Sequence, residues 1–437
     1  MMKDGLAVLP PRSAYLHIPF CHRRCFYCDF AVVPLGDHAN GAKGPGSASI
    51  QSYLQLLQRE IALVKPGPTL ATVYIGGGTP SLLSSAQIGA LLDQLRQRFG
   101  VQLGAEITLE MDPASFDQAY LEAVLAAGVN RVSLGGQSFD DAVLEKLGRR
   151  HRRHHLQEAC GWLHQAHQCG ELKSWSLDLI QNLPGQELVA WKQQLVEAIN
   201  TGSPHLSIYE LSVEPGTVFA WRQRRGELDL PDDDLAAEQM QTTSVLLRQA
   251  GFGRYEISNY ALPGHASRHN RVYWSGAGWW GFGQGATSAP WGQRLARPRT
   301  RDGYCSWIEV QEAEGLDSSL VAAKARPLPL DEQLLVGLRC REGVDLEALS
   351  RAWGWTHEQC NALLPSLQVR WQAALDRGWL QLHGRRWQLS DPQGMAISNQ
   401  VLVEMLLWWQ SLPADAVASP NLEGLPRTAV DLGSMAD

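Results

Sequence analysis

The chain has 437 residues, 44% hydrophobic and 19% charged, enough apolar content for sizeable cores and too much for wholesale disorder. A formal net charge of -7 argues against a protein that works by neutralising nucleic-acid phosphates, and eight cysteines are too sparse for a disulfide scaffold. No apolar run reaches the ~18 residues of a membrane span and no signal-peptide pattern is visible, so the expected compartment is the reducing cytoplasm.

Ala14-Tyr15-Leu16-His17-Ile18 reads as a buried strand running into Cys21, Cys25 and Cys28. Residues 34–49, rich in Gly, Ala, Ser and Pro, read as a loop. Ile50, Tyr53, Leu54, Leu57, Ile61 and Val64 then share one helical face. Thr72-Val73-Tyr74-Ile75 is β-branched and aromatic and stops at Gly76-Gly77-Gly78, and Ile88, Leu91, Leu92, Leu95 and Phe99 mark a second helix. The alternation continues through strand 106–109, helix 117–126, strand 131–134, helices 140–147 and 153–167, and strand 176–180. A helix bearing Leu188, Trp191, Leu195 and Ile199 and a strand over 205–209 close it.

Six short apolar strands separated by helices predict an α/β fold with parallel strands. The expectation is a partial (β/α)6 TIM-like barrel over 1–230, with its chemistry in the loops after the strand ends. The cysteine loop, the triple glycine, Glu110, Gln137 and Asp178 all fall at or just after expected strand ends. Residues 231–329, a helix, a strand and an aromatic, glycine-dense segment, are expected to complete the core; that last segment also reads as a lid over the barrel mouth. Residues 330–411 read as a small winged-helix-like C-terminal domain, with helices near 331–338, 346–353 and 365–377 before a hairpin of 379–382 and 386–389. The tail, 412–437, reads as disordered.

Cys21-x3-Cys25-x2-Cys28 offers three soft thiolates from one loop after the first strand. Three thiolates can hold three irons of a [4Fe-4S] cluster and leave the fourth iron open to S-adenosylmethionine, whose sulfur–carbon bond one electron then splits. A Cys3His zinc site using His17 or His22, or inert buried thiols, are the alternatives the spacing leaves open. The other five cysteines read as small core residues.

Tyr15-x-His17-Ile18-Pro19-Phe20-Cys21-x3-Cys25-x-Tyr27-Cys28-Asp29-Phe30 resembles the opening of radical S-adenosylmethionine proteins of the coproporphyrinogen-dehydrogenase type, and within them the heme-chaperone branch. The resemblance extends from Tyr15 to about residue 407. It implies a cluster on Cys21, Cys25 and Cys28. It places Tyr15 against the adenosylmethionine, Gly77, Gly78 and Thr79 near its amino group, and Glu110 at the ribose hydroxyls. Tyr27, Gln137, Arg149 and Asp178 take the remaining contacts, to this or a second adenosylmethionine. The family's usual Gly-Val-Gln is Gly135-Gly136-Gln137 here, and its Tyr-Gly-Leu-Pro is Gln181-Asn182-Leu183-Pro184.

The family's oxidase usually has a fourth cysteine two residues after the third, where this chain has Phe30. His269-Asn270-x-x-Tyr273-Trp274 matches the signature of the heme-chaperone branch, and His269 is the candidate heme ligand. The resemblance therefore implies a heme chaperone without dehydrogenase activity. It would bind heme, the cluster and adenosylmethionine, and serve acceptor hemoproteins such as membrane respiratory enzymes by peripheral contact. It would draw on an electron donor and touch no nucleic acid. The alternative is an oxygen-independent coproporphyrinogen III oxidase.

Overall fold

The computed structural model describes residues 10–41, 43–290, 292, 294–315 and 328–418. The six expected strands are β1 (Ser13–Ile18), β2 (Leu70–Gly77), β3 (Val101–Met111), β4 (Arg131–Gln137), β5 (Ser174–Gln181) and β6 (His205–Glu210), and they lie side by side in that order, all parallel. Parallel strands need long crossovers, which α1 (Ser47–Leu63), α2 (Ser85–Phe99), α3 (Gln118–Ala127), α4 (Asp141–Lys146), α5 (Arg153–Gln168) and α6 (Leu188–Asn200) supply. Burial follows the apolar stripes: Ile50, Tyr53, Leu54, Leu57 and Ile61 on α1, and Ile88, Leu91, Leu92, Leu95 and Phe99 on α2. The start of α2 is set by a capping box, in which Ser84 and Gln87 each accept the other's backbone N–H. The result is one continuous core between sheet and helices.

The sheet is wider than six strands. Beyond β6 lie β7 (Gly253–Arg254) and β8 (Asn259–Ala261), with β8 antiparallel to both neighbours. On the opposite edge β9 (Trp280–Phe282) pairs parallel with β1, Tyr15 facing Gly281. The aromatic segment is thus partly a sheet edge, and not only a cover. Trp280 and Phe282 are buried against Phe99, and Gly281 leaves no room for a Cβ against the Thr287 carbonyl. Asp178 sits inside β5, opposite Ser207 of β6, and not after a strand end. Two short helices complete the picture around the site: α7 (Val218–Arg224), and α9 (Arg268–Ser275), which follows α8 (Asp233–Gln249) and carries the His269 motif.

From Leu330 a second core forms around Trp353, Trp355, Trp371, Trp387 and Trp408. Its hairpin, Leu380–His383 with Arg386–Leu389, gains a third strand from Val344–Asp345. The helix expected to start at Pro365 begins at His357, set by a capping box between Thr356 and Gln359. Pro365 sits on its exposed side, where water can serve the carbonyl a proline leaves unbonded. The start of the expected disordered tail is docked: Ala416 is buried and its carbonyl accepts from Trp355 Nε1 at 2.9 Å. Residues 419–437 lie outside the described residues. Arg271 to Glu342 at 3.2 Å and Ser244 Oγ to Asp391 at 2.7 Å tie this unit to the barrel. No helix among the described residues is long and apolar enough to cross a membrane.

Candidate functional site

The cysteine loop leaves β1 and is pinned by its backbone. Leu35 N donates to Cys21 O at 2.8 Å, Phe26 N to Leu147 O at 3.0 Å, and Phe219 N, in the first turn of α7, to Phe26 O at 3.0 Å. All three cysteines are partly buried. Burial pushes the Cys21 thiol up to about 12 and raises that of Cys28, so without a metal these two stay protonated and ligation displaces their protons. Arg149 Nη1 lies 3.8 Å from Cys25 Sγ, a cation placed to offset negative charge on the sulfurs.

The triple glycine packs against this loop so closely that side chains are excluded. A Cβ on Gly78 would lie 2.6 Å from Phe20 O and 2.9 Å from Cys21 Sγ, and one on Gly76 would lie 2.8 Å from Glu110 Oε1. Gly77 has φ 118°, and a Cβ there would meet the His17 ring at 2.7 Å. Thr79 N donates to Phe20 O at 2.6 Å, which brings Gly77, Gly78 and Thr79 to the foot of the cysteine loop.

Glu110 is held at the end of β3 by Tyr74 Oη at 2.8 Å and Gly77 N at 2.9 Å. Burial, aided by the Asp178 charge, pushes its carboxyl up to about 7 against these two donors. Asp178, raised by burial, accepts from Ser133 Oγ at 2.7 Å and Ser176 Oγ at 3.2 Å. Arg149 donates to Asp112 at 2.8 Å and Gly135 O at 2.6 Å. Burial alone would raise the Asp112 carboxyl, but Arg149 and His151 hold it well below the usual range. Gln137 sits at a β-bulge with φ 62°, which turns the chain out of the sheet beside Arg149. A Cβ on Gly136 would meet Leu177 at 2.7 Å, which accounts for glycine in the middle of this motif. Tyr27 is partly buried beside Phe26 and Leu147, and burial raises its hydroxyl.

His17 Nε2 faces Ala31 O at 3.2 Å and so carries the proton, leaving Nδ1 to accept from Tyr15 Oη at 2.9 Å. Burial lowers its pKa to about 4. His22 lines a separate polar cleft of about 460 Å3 with Asp37, Ser81, Ser115 and Arg150. Among the described residues no group of three or more His, Cys, Asp or Glu converges to hold a single metal ion. Of the two imidazoles a zinc site could use, His17 has both ring nitrogens engaged by Tyr15 and Ala31. A cubane spreads its thiolate ligands over three irons, and the three-thiol loop suits that donor set.

His269 lies on the first turn of α9. It is fully buried, with Nδ1 2.7 Å from Thr72 Oγ1 and Nε2 2.9 Å from Tyr273 Oη, and its ring stacks on Tyr74 at 5.2 Å. Burial pushes its pKa down to about 3. Both ring nitrogens thus have a hydroxyl partner in this arrangement, one as donor and one as acceptor. The His269 ring also backs Tyr74, which in turn holds Glu110.

Sequence reasoning passed over Tyr74, His151 and Glu106. Glu106 caps α9, accepting from Arg268 N at 2.9 Å and His269 N at 2.8 Å. His151 is wholly buried with Nε2 2.9 Å from Gly136 O. Its available signal was the Gly148-Arg149-Arg150-His151 run just ahead of α5, outside the helical repeat.

A model of the radical SAM superfamily matches residues 15–186. The heme chaperone HemW of Synechocystis sp. is 38% identical over 412 residues, 90% of this chain and 96% of that protein. The heme chaperone HemW of Mycobacterium tuberculosis is 34% identical over 423 residues, 92% and 97% of the two chains. The solved coproporphyrinogen III oxidase (HemN) of Escherichia coli superposes with a TM-score of 0.72, covering 93% of this chain and 91% of that one, at 21% identity, a likeness of fold. Sheet, cysteine loop and superfamily match together define a radical SAM protein. Within that superfamily the chain belongs to the heme chaperone HemW family.

Proposed function

We propose that the chain is a heme chaperone that carries a [4Fe-4S] cluster on Cys21, Cys25 and Cys28, binds S-adenosylmethionine at the open iron, and delivers heme to acceptor hemoproteins. The observation that carries the reading is the contact between the cysteine loop and the triple glycine, where Gly78 leaves backbone alone within reach of Cys21 Sγ. When bound, the cluster supplies a low-potential electron. Gly77, Gly78 and Thr79 present backbone groups to the amino acid end of the ligand, and Tyr15 lies along it. Glu110 accepts from its ribose, with Tyr74 aiming the carboxylate. Gln137, Arg149, Asp178 and Tyr27 line the far side, and Arg149 offsets cluster charge. Phe30, where the oxidase has cysteine, supports a chaperone over a decarboxylase, as do relatives that carry the chaperone name along nearly the whole chain. Acceptors of the membrane respiratory type, reached by peripheral docking, fit a chain with no spanning helix among its described residues.

The test is anaerobic. After reconstitution, hemin titration is expected to shift the Soret band to a stoichiometric end point, with no protoporphyrinogen formed from coproporphyrinogen III. Robust turnover would overturn the chaperone reading.

Adenosylmethionine binding is expected to weaken as pH falls. Glu110, at about 7, must be ionised to accept from two hydroxyls, so below that pH binding must also expel a proton. Affinity should fall by up to about tenfold per pH unit on the acid side and level off above about 8. Calorimetric titration between pH 6 and 8.5 checks it; Glu110→Gln should bind more weakly, and a slope persisting in that variant would assign the titration elsewhere.

A further inference from the structure

A cluster that gives up an electron must be given another, and the partner that supplies it has to dock within reach of the cysteine loop. We propose that the arginine-lined rim of that loop is the docking surface, and that its partner is a small one-electron carrier protein with an acidic face. The proposal rests on the cluster reading above and adds the place of docking and the chemistry of the partner.

Three arginines from three separate elements gather at the loop. Arg24, within it, donates from Nε to Cys28 O at 2.9 Å. Arg222, on α7, holds its guanidinium over the Phe26 ring, 4.9 Å from the centroid. Arg150, between α4 and α5, donates from Nη1 to Asp37 O at 3.2 Å and lines the polar cleft beside His22. Arg23 is engaged with the Asp37 carboxylate through two hydrogen bonds. Among the described residues, none of Arg24, Arg150 and Arg222 forms an ion pair with a carboxylate, so their charge is left for a partner.

The excess is local. Residues 21–37, 147–153 and 218–224 hold eight arginines against two aspartates, in a chain whose formal net charge is -7. Arg149 and Arg153 are matched by Asp112 and Glu197, and the balance stays positive. A positive rim on a negative chain draws an acidic face to this one place and repels it elsewhere. The neighbouring cleft, about 460 Å3 and lined in part by Ser81, Ser115, His22 and Arg150, adds donors for a carboxylate that projects from the partner.

The position of the charge selects the kind of partner. The triple glycine meets the loop at Phe20 O and Cys21 Sγ, whereas Arg222 and Arg24 meet it at Phe26 and Cys28. All three cysteines are only partly buried, so a protein seated on these arginines has little material between its redox group and the sulfurs. An encounter steered by charge forms fast and parts readily, which suits a carrier that leaves after each electron. The transfer balances with no bond made or broken: the carrier loses one electron and a [4Fe-4S]2+ cluster becomes [4Fe-4S]+.

The experiment uses the full chain before and after anaerobic reconstitution, with flavodoxin as the acidic carrier. Binding of oxidised flavodoxin is followed by calorimetric titration, which needs no turnover. It is expected to weaken about tenfold as salt rises from about 20 mM to about 200 mM, because exposed charges are screened. Arg24→Gln, Arg150→Gln and Arg222→Gln should each weaken it about two- to fivefold, the value of an exposed ion pair, and the triple variant about tenfold or more. Iron content after reconstitution verifies that each variant keeps its loop. With flavodoxin hydroquinone, which gives one electron and becomes the semiquinone, stopped-flow reduction should slow in the same order. Photoreduced deazariboflavin, small and uncharged, should reduce every variant at the same rate.

Flavodoxin affinity that ignores both salt and the triple substitution overturns the surface and leaves the cluster and chaperone readings standing. Binding of phosphatidylglycerol vesicles through the same arginines, with none of flavodoxin, overturns the carrier and makes the surface a membrane contact. A chain that takes up no cluster iron, or whose cluster deazariboflavin cannot reduce, overturns the cluster reading and this proposal with it.

Discussion

Alanine at any one of Cys21, Cys25 and Cys28 is expected to abolish cluster iron and, with it, adenosylmethionine binding. Two thiolates cannot hold three irons of a cubane, so the loss is all or none and not graded. The same substitution at Cys160, Cys169, Cys305, Cys340 or Cys360 should leave iron content unchanged, since none of these lies in the loop. Loss of fold does not imitate the result, because Cys21, Cys25 and Cys28 anchor the loop through backbone groups that alanine retains, such as Cys21 O accepting from Leu35 N. Iron per chain and visible absorbance after anaerobic reconstitution are the measurements. A full complement of iron in Cys25→Ala would sink the ligand assignment.

The largest stability effect is expected at Glu60. Its side chain is fully buried on α1, and its carboxylate accepts from Arg297 Nε at 2.6 Å, Tyr304 Oη at 2.6 Å and Gly283 N at 2.7 Å. Glu60→Ala would strand the Arg297 guanidinium, itself only 5% exposed by side chain, and leave a buried hydroxyl and N–H unanswered. Breaking a buried pair on one side costs about 3–5 kcal/mol, a large part of the ~5–15 kcal/mol that holds a native chain together. The denaturant midpoint of the barrel transition should fall accordingly. Glu60→Gln keeps one acceptor oxygen but turns an NH2 group towards the remaining donors, and should lie between. Replacing Glu60 and Arg297 together by apolar residues should recover most of the loss, as a coupled pair requires. Additive losses in that double variant would show that Glu60 acts alone.

Glu60 also marks where the sequence ceases to be legible. It lies at helical spacing among Tyr53, Leu57, Ile61 and Val64, a stripe that announces burial, yet its partners Arg297 and Tyr304 are remote in sequence and send no local signal. The six parallel strands were readable because each is a short apolar run between amphipathic helices, a pattern with a period. β9 was not, since Trp280–Phe282 has only three residues and no helix of its own to announce a crossover. The cysteine loop and the triple glycine declare themselves by spacing and by residue type. Asp178 looked like a strand-end acid, yet β5 runs three residues beyond it, to Gln181. His269 belongs to a motif that marks the family, but its packing on Thr72 and Tyr74 of β2 joins residues remote in sequence, and only the fold reveals that.

The position of β1 has a consequence for the order of events during synthesis. This strand, which launches the cysteine loop, is an interior strand bounded by β2 on one side and β9 on the other. Until the ribosome has delivered Trp280–Phe282, β1 has one bare hydrogen-bonding edge, and the face of the loop later covered by residues 279–287 is open to water. Closing that edge joins segments far apart in the chain, the slowest kind of contact to form. A nascent chain halted short of β9 therefore has all three cysteines but not the sheltered site, and iron delivered at that stage meets thiols in the wrong surroundings. A cluster held by this loop would therefore find its sheltered surroundings only once β9 has joined the sheet.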